Sequence, residues 1–139
     1  MSDPELVREV ARWLRHARDD LTVAELILDH GQVPRAACFN AQQCAEKAIK
    51  GSLVFLQIPF RKIHDLEALC KELPDGWSLA EDPARLSDLS EWAVEPRYPG
   101  DLPGATEADA KAAVEEARDA YETTPEDLAR HGYSPPDEV

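Results

Sequence analysis

Apolar residues recur at spacings of three and four along most of this chain, and no stretch alternates well enough to predict a strand. Leu6, Val10, Trp13, Ala17, Leu21, Ala24 and Leu28 form the longest such series. That spacing puts a single apolar stripe on an α-helix. Asp3 is a natural N-cap, Pro4 suits the first helical position, and Gly31 supplies a stop. The first predicted helix is thus about 27 residues, or ~40 Å, long, a length common in bundles. Arg8, Arg12 and Arg15 share a second face with Glu5 and Asp19, which predicts a solvated, salt-bridged surface.

Pro34 opens a second predicted helix that runs to about Leu56 and is ended by Pro59. Ala37, Ala41, Cys44, Ala48 and Phe55 fall on one side of it. Most are small, so a neighbouring helix can approach closely. "KIHDLEALCKELP" predicts a shorter third helix, capped by His64 or Asp65, with Leu66, Leu69, Cys70 and Leu73 inward. Asp82-Pro83 should open a fourth, with Leu86, Leu89 and Ala93 as its stripe. "EPRYPGDLPG" then reads as a rigid extended loop in which Tyr98, preceding proline, is pushed toward β or polyproline geometry. Thr106 with Asp109 resembles a capping box. It opens a fifth helix through Ala110, Ala113, Val114, Ala117 and Tyr121. The expectation is an all-α fold, a four- to five-helix up-and-down bundle over residues 1–123. Residues 124–139 should form one further turn at Thr124-Pro125 and a flexible tail.

Composition supports a single helical domain. The chain has 139 residues, 43% of them hydrophobic but only 6% aromatic, and alanine and leucine dominate the apolar set. Its net charge is −13, which disfavours binding to long duplex DNA. The charge is uneven. Between Val33 and His64 five basic residues (Arg35, Lys47, Lys50, Arg61, Lys62) face one acid, Glu46. From Gly100 onward 11 acidic residues face three basic ones. The middle of the chain can therefore take a small anion or a short nucleic-acid segment, while the C-terminal third opposes it or suits a basic partner. Cys38, Cys44 and Cys70 match no zinc spacing and read as buried, reduced thiols of a cytoplasmic protein. No leader is apparent ahead of the first charged helix, and "SLVFLQIPF" is too short to cross a membrane. No metal site and no cofactor are expected.

Candidate chemistry centres on the second helix. At 100° per residue Asn40, Gln43, Lys47 and Lys50 make one stripe of amide and ammonium donors. Such a stripe suits phosphate oxygens or base edges; a plain solvated face is the alternative. Glu46 lies beside it and can pair with Lys50 at i+4. His64 follows Arg61 and Lys62 and can serve as a turn residue, a ligand contact or a catalytic group. Arg97 and Tyr98 should project to opposite sides of their loop. No phosphate loop, HExxH, Cys-x-x-Cys or nucleophile elbow occurs.

The series "RAACFNAQQCAEKAIKGSL", "KIHDLEALCKEL", "PRYPGD" and an alanine-rich last helix resembles the HEPN family over about Trp13 to Tyr121. The resemblance implies a helical bundle that commonly forms a homodimer. It also implies nucleotide binding and action with a separate minimal nucleotidyltransferase, as in toxin–antitoxin pairs. The expected function is then a non-catalytic module contacting a nucleotide through Asn40, Gln43, Glu46, Lys47, Lys50, His64, Arg97 and Tyr98. A second branch of that family comprises metal-independent ribonucleases marked by Arg, four to six residues, then His on a late helix. Here Arg12 to His16 encloses three residues, Arg61 to His64 two and Arg8 to His16 seven. That departure argues against catalysis. A ribonuclease using His64 with Arg61 or Arg97, and a pure protein–protein interaction subunit, are the alternatives.

Overall fold

The computed structural model describes residues 3–93 and 104–137. Three long helices frame it: α1 (Pro4–His30), α2 (Pro34–Phe55) and α5 (Glu107–Arg130). Two short helices lie between α2 and α5, namely α3 (Leu66–Lys71) and α4 (Ser87–Ser90). Single 3-10 turns at Ser78–Ala80, Pro83–Leu86 and Glu91–Ala93 accompany them. No strand occurs among the described residues. The architecture is the expected all-α up-and-down bundle.

Helix α1 starts and stops where its residues dictate. The Asp3 carboxylate accepts from the Glu5 N–H. Gly31, at φ +77°, returns its N–H to the Ile27 and Leu28 carbonyls. Val10, Ala17, Leu21 and Ala24 are buried, with Leu14, Ile27 and Leu28 packed partly against them. The salt-bridged second face is absent. Arg8, Arg12 and Arg15 are exposed and make no ion pair among the described residues. Pairing two long exposed side chains gains little Coulomb energy and costs rotamer entropy, so the sequence spacing alone does not enforce it.

Helix α2 is the enclosed element. Thirteen of its 22 residues are buried, and both α1 and α5 pack on it. The small face predicted from sequence is real: Ala37, Ala41, Cys44 and Ala48 are fully buried. Gly51 extends it, since a Cβ there would lie 3.2 Å from the Trp13 Cβ. The three cysteines are free and buried. Burial pushes the Cys38 thiol up to about 11 and those of Cys44 and Cys70 up to about 12.

Asp65, not His64, caps α3 by accepting from the Ala68 N–H. Leu66, Leu69, Cys70 and Leu73 all point into the core, as the spacing predicts. The fourth helix does not form as one piece. Asp82 makes no side-chain cap, and the segment divides into a 3-10 turn, the four-residue α4 and another 3-10 turn. Burial of Leu86 and Leu89 needs only these short turns. The proline-rich loop with Arg97 and Tyr98 lies outside the described residues.

Helix α5 begins with a full capping box between Thr106 and Asp109. It then runs unbroken through Pro125 to Arg130. The bundle thus extends past the boundary expected at residue 123. Leu128 and Tyr133 join the core, and the His131 ring stacks on Trp77 at 4.4 Å. Asp127, almost fully buried, accepts from the Ser78 N–H at 3.0 Å, the Ser78 hydroxyl at 2.8 Å and the Arg130 guanidinium. A proline costs a helix one hydrogen bond; these contacts beyond it offset that loss. Among the described residues no helix is long and apolar enough to cross a membrane.

Asp127 therefore latches the end of α5 onto the turn at Ser78. Asp127→Ala leaves the part-buried Ser78 N–H and hydroxyl without their acceptor and should lower unfolding free energy by about 1–3 kcal/mol. Urea titration followed by circular dichroism measures this, and a loss below ~0.5 kcal/mol would show that the latch is immaterial.

Candidate functional site

The donor stripe predicted on α2 exists as a row of positions but not as a row of free donors. The Asn40 side chain donates to the Ala36 carbonyl at 2.9 Å, one turn back in its own helix. Gln43 donates to the Gln42 side-chain oxygen at 2.7 Å. Lys47 reaches across to Asp20 on α1 at 2.6 Å. Lys50 is nearly buried and bonds Glu46 at 3.0 Å. The reason is enclosure: an amide or ammonium held among packed helices must find a partner within the protein.

Glu46 is the centre of the resulting cluster. Its carboxylate is only 6% exposed. One oxygen, Oε2, accepts from Lys50 Nζ. The other, Oε1, accepts from Gln42 Nε2 at 3.2 Å and meets His64 Nδ1 at 2.8 Å. Burial pushes the Glu46 carboxyl up, but hydrogen bonds from His64, Lys50 and Gln42, with the Lys50 charge, outweigh it and hold the pKa below the usual carboxylate value. An ionised Glu46 can only accept, so the short contact requires His64 to donate from Nδ1.

His64 is held at its backbone as well. Its carbonyl accepts from Gln42 Nε2 at 3.0 Å and from the Ser90 hydroxyl at 3.3 Å. Ser90 also accepts from the Leu66 N–H at 2.9 Å. Ring and backbone of His64 are thus both anchored, while 59% of its side chain stays in solvent. Arg61 and Lys62, just before it, are exposed. Lys50 sits over the Phe60 ring at 5.4 Å, and Phe60 packs edge-on against Trp13 at 6.0 Å. The cluster therefore joins α2, the segment before α3, α4 and α1.

Of the sequence-predicted residues, the structure gathers Glu46, Lys50 and His64. Gln43 touches that cluster only through Gln42, Asn40 bonds within its own helix, and Lys47 pairs with Asp20 on α1. Arg97 and Tyr98 lie outside the described residues. Gln42 was missed. It is fully buried and bonds both Glu46 and the His64 backbone. Its signal was present as a glutamine four residues before a glutamate, the spacing of helix neighbours. Among the described residues no group of three or more His, Cys, Asp or Glu side chains could hold a metal ion.

An all-α bundle organised around a long enclosed helix, with a buried glutamate presenting a histidine at its edge, defines a helical-domain class. The chain belongs to the HEPN domain family, whose model matches residues 10–127. It is 30% identical over 95 residues to "Putative toxin MJ1304" of Methanocaldococcus jannaschii. That match takes in 63% of this chain and 61% of the relative's length. Two solved structures share the fold. TT1696 from Thermus thermophilus superposes with a TM-score of 0.72 at 29% identity, over 86% of this chain and 98% of that one. ST0689, described as an archaeal HEPN homologue, superposes with a TM-score of 0.68 at 28% identity, over 86% and 97%.

The depressed Glu46 pKa has a consequence for stability. Its contribution is complete above the unfolded-state value of about 4.3 and is lost as pH falls through the folded-state value. Glu46→Gln should cost about 2–4 kcal/mol at pH 7, because it leaves Lys50 buried without its counter-charge. The gap from wild type should close as pH drops below ~4. Denaturation at pH 7 and pH 3.5 tests this, and a gap that stays constant would assign the loss to packing instead.

Proposed function

We propose that this chain is a toxin-like HEPN module of a two-component system, non-catalytic, binding a nucleotide and acting with a separate minimal nucleotidyltransferase. The observation that carries the binding part is the anchoring of His64. A ring fixed at Nδ1 by a buried carboxylate, and at its backbone by Gln42 and Ser90, keeps its outer edge ready at little entropic cost. Arg61 and Lys62 add exposed positive charge beside it in the chain. His64 and Arg61 would contact phosphate; Glu46, Lys50 and Gln42 would position them. This replaces the free stripe of Asn40, Gln43, Lys47 and Lys50 with a single presented histidine. The toxin-like role rests on the family and on the name of the archaeal relative, of which the chain spans about three-fifths. A homodimer is part of the same reading.

A second reading is favoured by one specific feature. A carboxylate that fixes the Nδ1 proton of a histidine leaves the other ring nitrogen free to act as a base. On an RNA chain His64 would take the ribose 2′-hydroxyl proton, with Arg61 stabilising the phosphorane.

Calorimetry with ATP and GTP separates the two. Binding in wild type, weakened at least tenfold by His64→Ala and by Arg61→Ala, is the expected result. Equal binding in the His64 variant would remove the proposed site. RNA left with 2′,3′-cyclic phosphate ends by wild type, but not by His64→Ala, would establish the ribonuclease instead. Pull-down of a minimal nucleotidyltransferase encoded next to this chain tests the partner clause.

A further inference from the structure

Arg8, Arg12, Arg15 and Arg18 crowd eleven positions of the first half of α1, with Glu9 the only acid among them. All four are exposed, and among the described residues none makes a hydrogen bond or ion pair. That is unexpected on a chain with 28 acidic residues and 15 basic ones. Several of its other cations do find carboxylates: Lys47 with Asp20, Arg85 with Asp119, Arg118 with Glu25. The fold leaves these four arginines without an ion pair among the described residues, although Glu5 and Asp19 share their face.

Arg15 and Arg18 rim a groove between α1 and the end of α5, with a volume of about 650 Å³. Its wall is largely apolar and includes Leu14, Tyr121, Tyr133 and Pro136. Arg18 lies near enough to Tyr121 for its charge to oppose the rise that burial imposes on the phenol, and Asp19 adds to that rise more weakly. Pro125 lines the same groove. Proline has no N–H, so the Tyr121 carbonyl, four residues back, lacks its regular helical donor. The groove therefore presents an apolar floor and two guanidinium groups.

We propose that this groove docks a segment of another protein that carries carboxylates on either side of an apolar anchor. Each feature matches a part of such a segment. Guanidinium binds carboxylate through paired donors. The apolar floor takes a hydrophobic side chain. Single-stranded nucleic acid fits less well, because it relies on aromatic faces for stacking. Tyr133 is only 6% exposed and its ring already packs edge-on against Phe55 at 5.8 Å. The groove shares no residue with the Glu46–His64 cluster, so this inference stands apart from the nucleotide reading.

A phage-displayed library of random 12-residue peptides, panned on the whole chain, tests it. The expected consensus has Asp or Glu flanking an aliphatic or aromatic residue. The best peptide, made synthetically, should bind at least tenfold more weakly to the Arg15→Glu/Arg18→Glu double variant. It should weaken as much when its own carboxylates become amides. Neither arginine makes a hydrogen bond or ion pair among the described residues, so the double variant should melt close to wild type. Enrichment without acidic residues, or equal binding to the double variant, overturns the proposal. A 20-nucleotide single-stranded RNA that binds through these arginines while no peptide is enriched overturns it in favour of nucleic acid. Self-association in sedimentation, abolished by the double variant without peptide enrichment, overturns it in favour of a second copy.

Discussion

Enclosure of α2 is the constraint from which most of the structure follows. A helix with neighbours on most sides can keep them close only if its side chains are small, and Ala37, Ala41, Cys44, Ala48 and Gly51 meet that need. The same enclosure changes the meaning of every polar group on the helix. Gln42, Glu46 and Lys50 have little water, so they bond one another and His64. A buried ion pair adds little net stability when compared with apolar packing. What this one achieves is placement: it ties the segment before α3 to the central helix and holds one histidine at the surface.

Positive charge is distributed by the same logic. Where cations lie near the core they are paired, as Lys50 and Lys47 are. Where they stand on the outer face of α1 they are not. The acidic balance of the whole chain thus conceals two kinds of basic residue. One kind builds the fold. The other is left for whatever the protein meets.

The helices were legible from period and punctuation. Asp3-Pro4, Gly31, Pro34 and the Thr106–Asp109 box mark ends through backbone chemistry that acts locally, so sequence alone suffices. Pro125 misled because its cost is local whereas the contacts that offset it, Asp127 with Ser78 and His131 with Trp77, lie about 50 residues apart in the chain. The fourth helix misled for the related reason that two buried leucines can be served by separate turns. In the site, the Glu46–Lys50 pair was visible as an i+4 relation. Its link to His64 was not, since it depends on how the chain returns after α2. The stripe from Asn40 to Lys50 was placed correctly on a helical wheel. A wheel carries no information on which neighbours are already waiting for those donors.

Tyr133 donates its hydroxyl to the Val7 carbonyl at 3.4 Å, across 126 positions of chain. Helix α1 is therefore completed by residues made long after it. During synthesis α2 has only one of its two long neighbours until α5 emerges, and the side that α5 will cover, Cys44 included, stays open to water. Closing a loop of that length also slows the final step of folding. The order of manufacture and the order of assembly are thus opposed in this protein. Its nascent chain must pass through a stage in which the α5 side of its central helix has nothing to cover it.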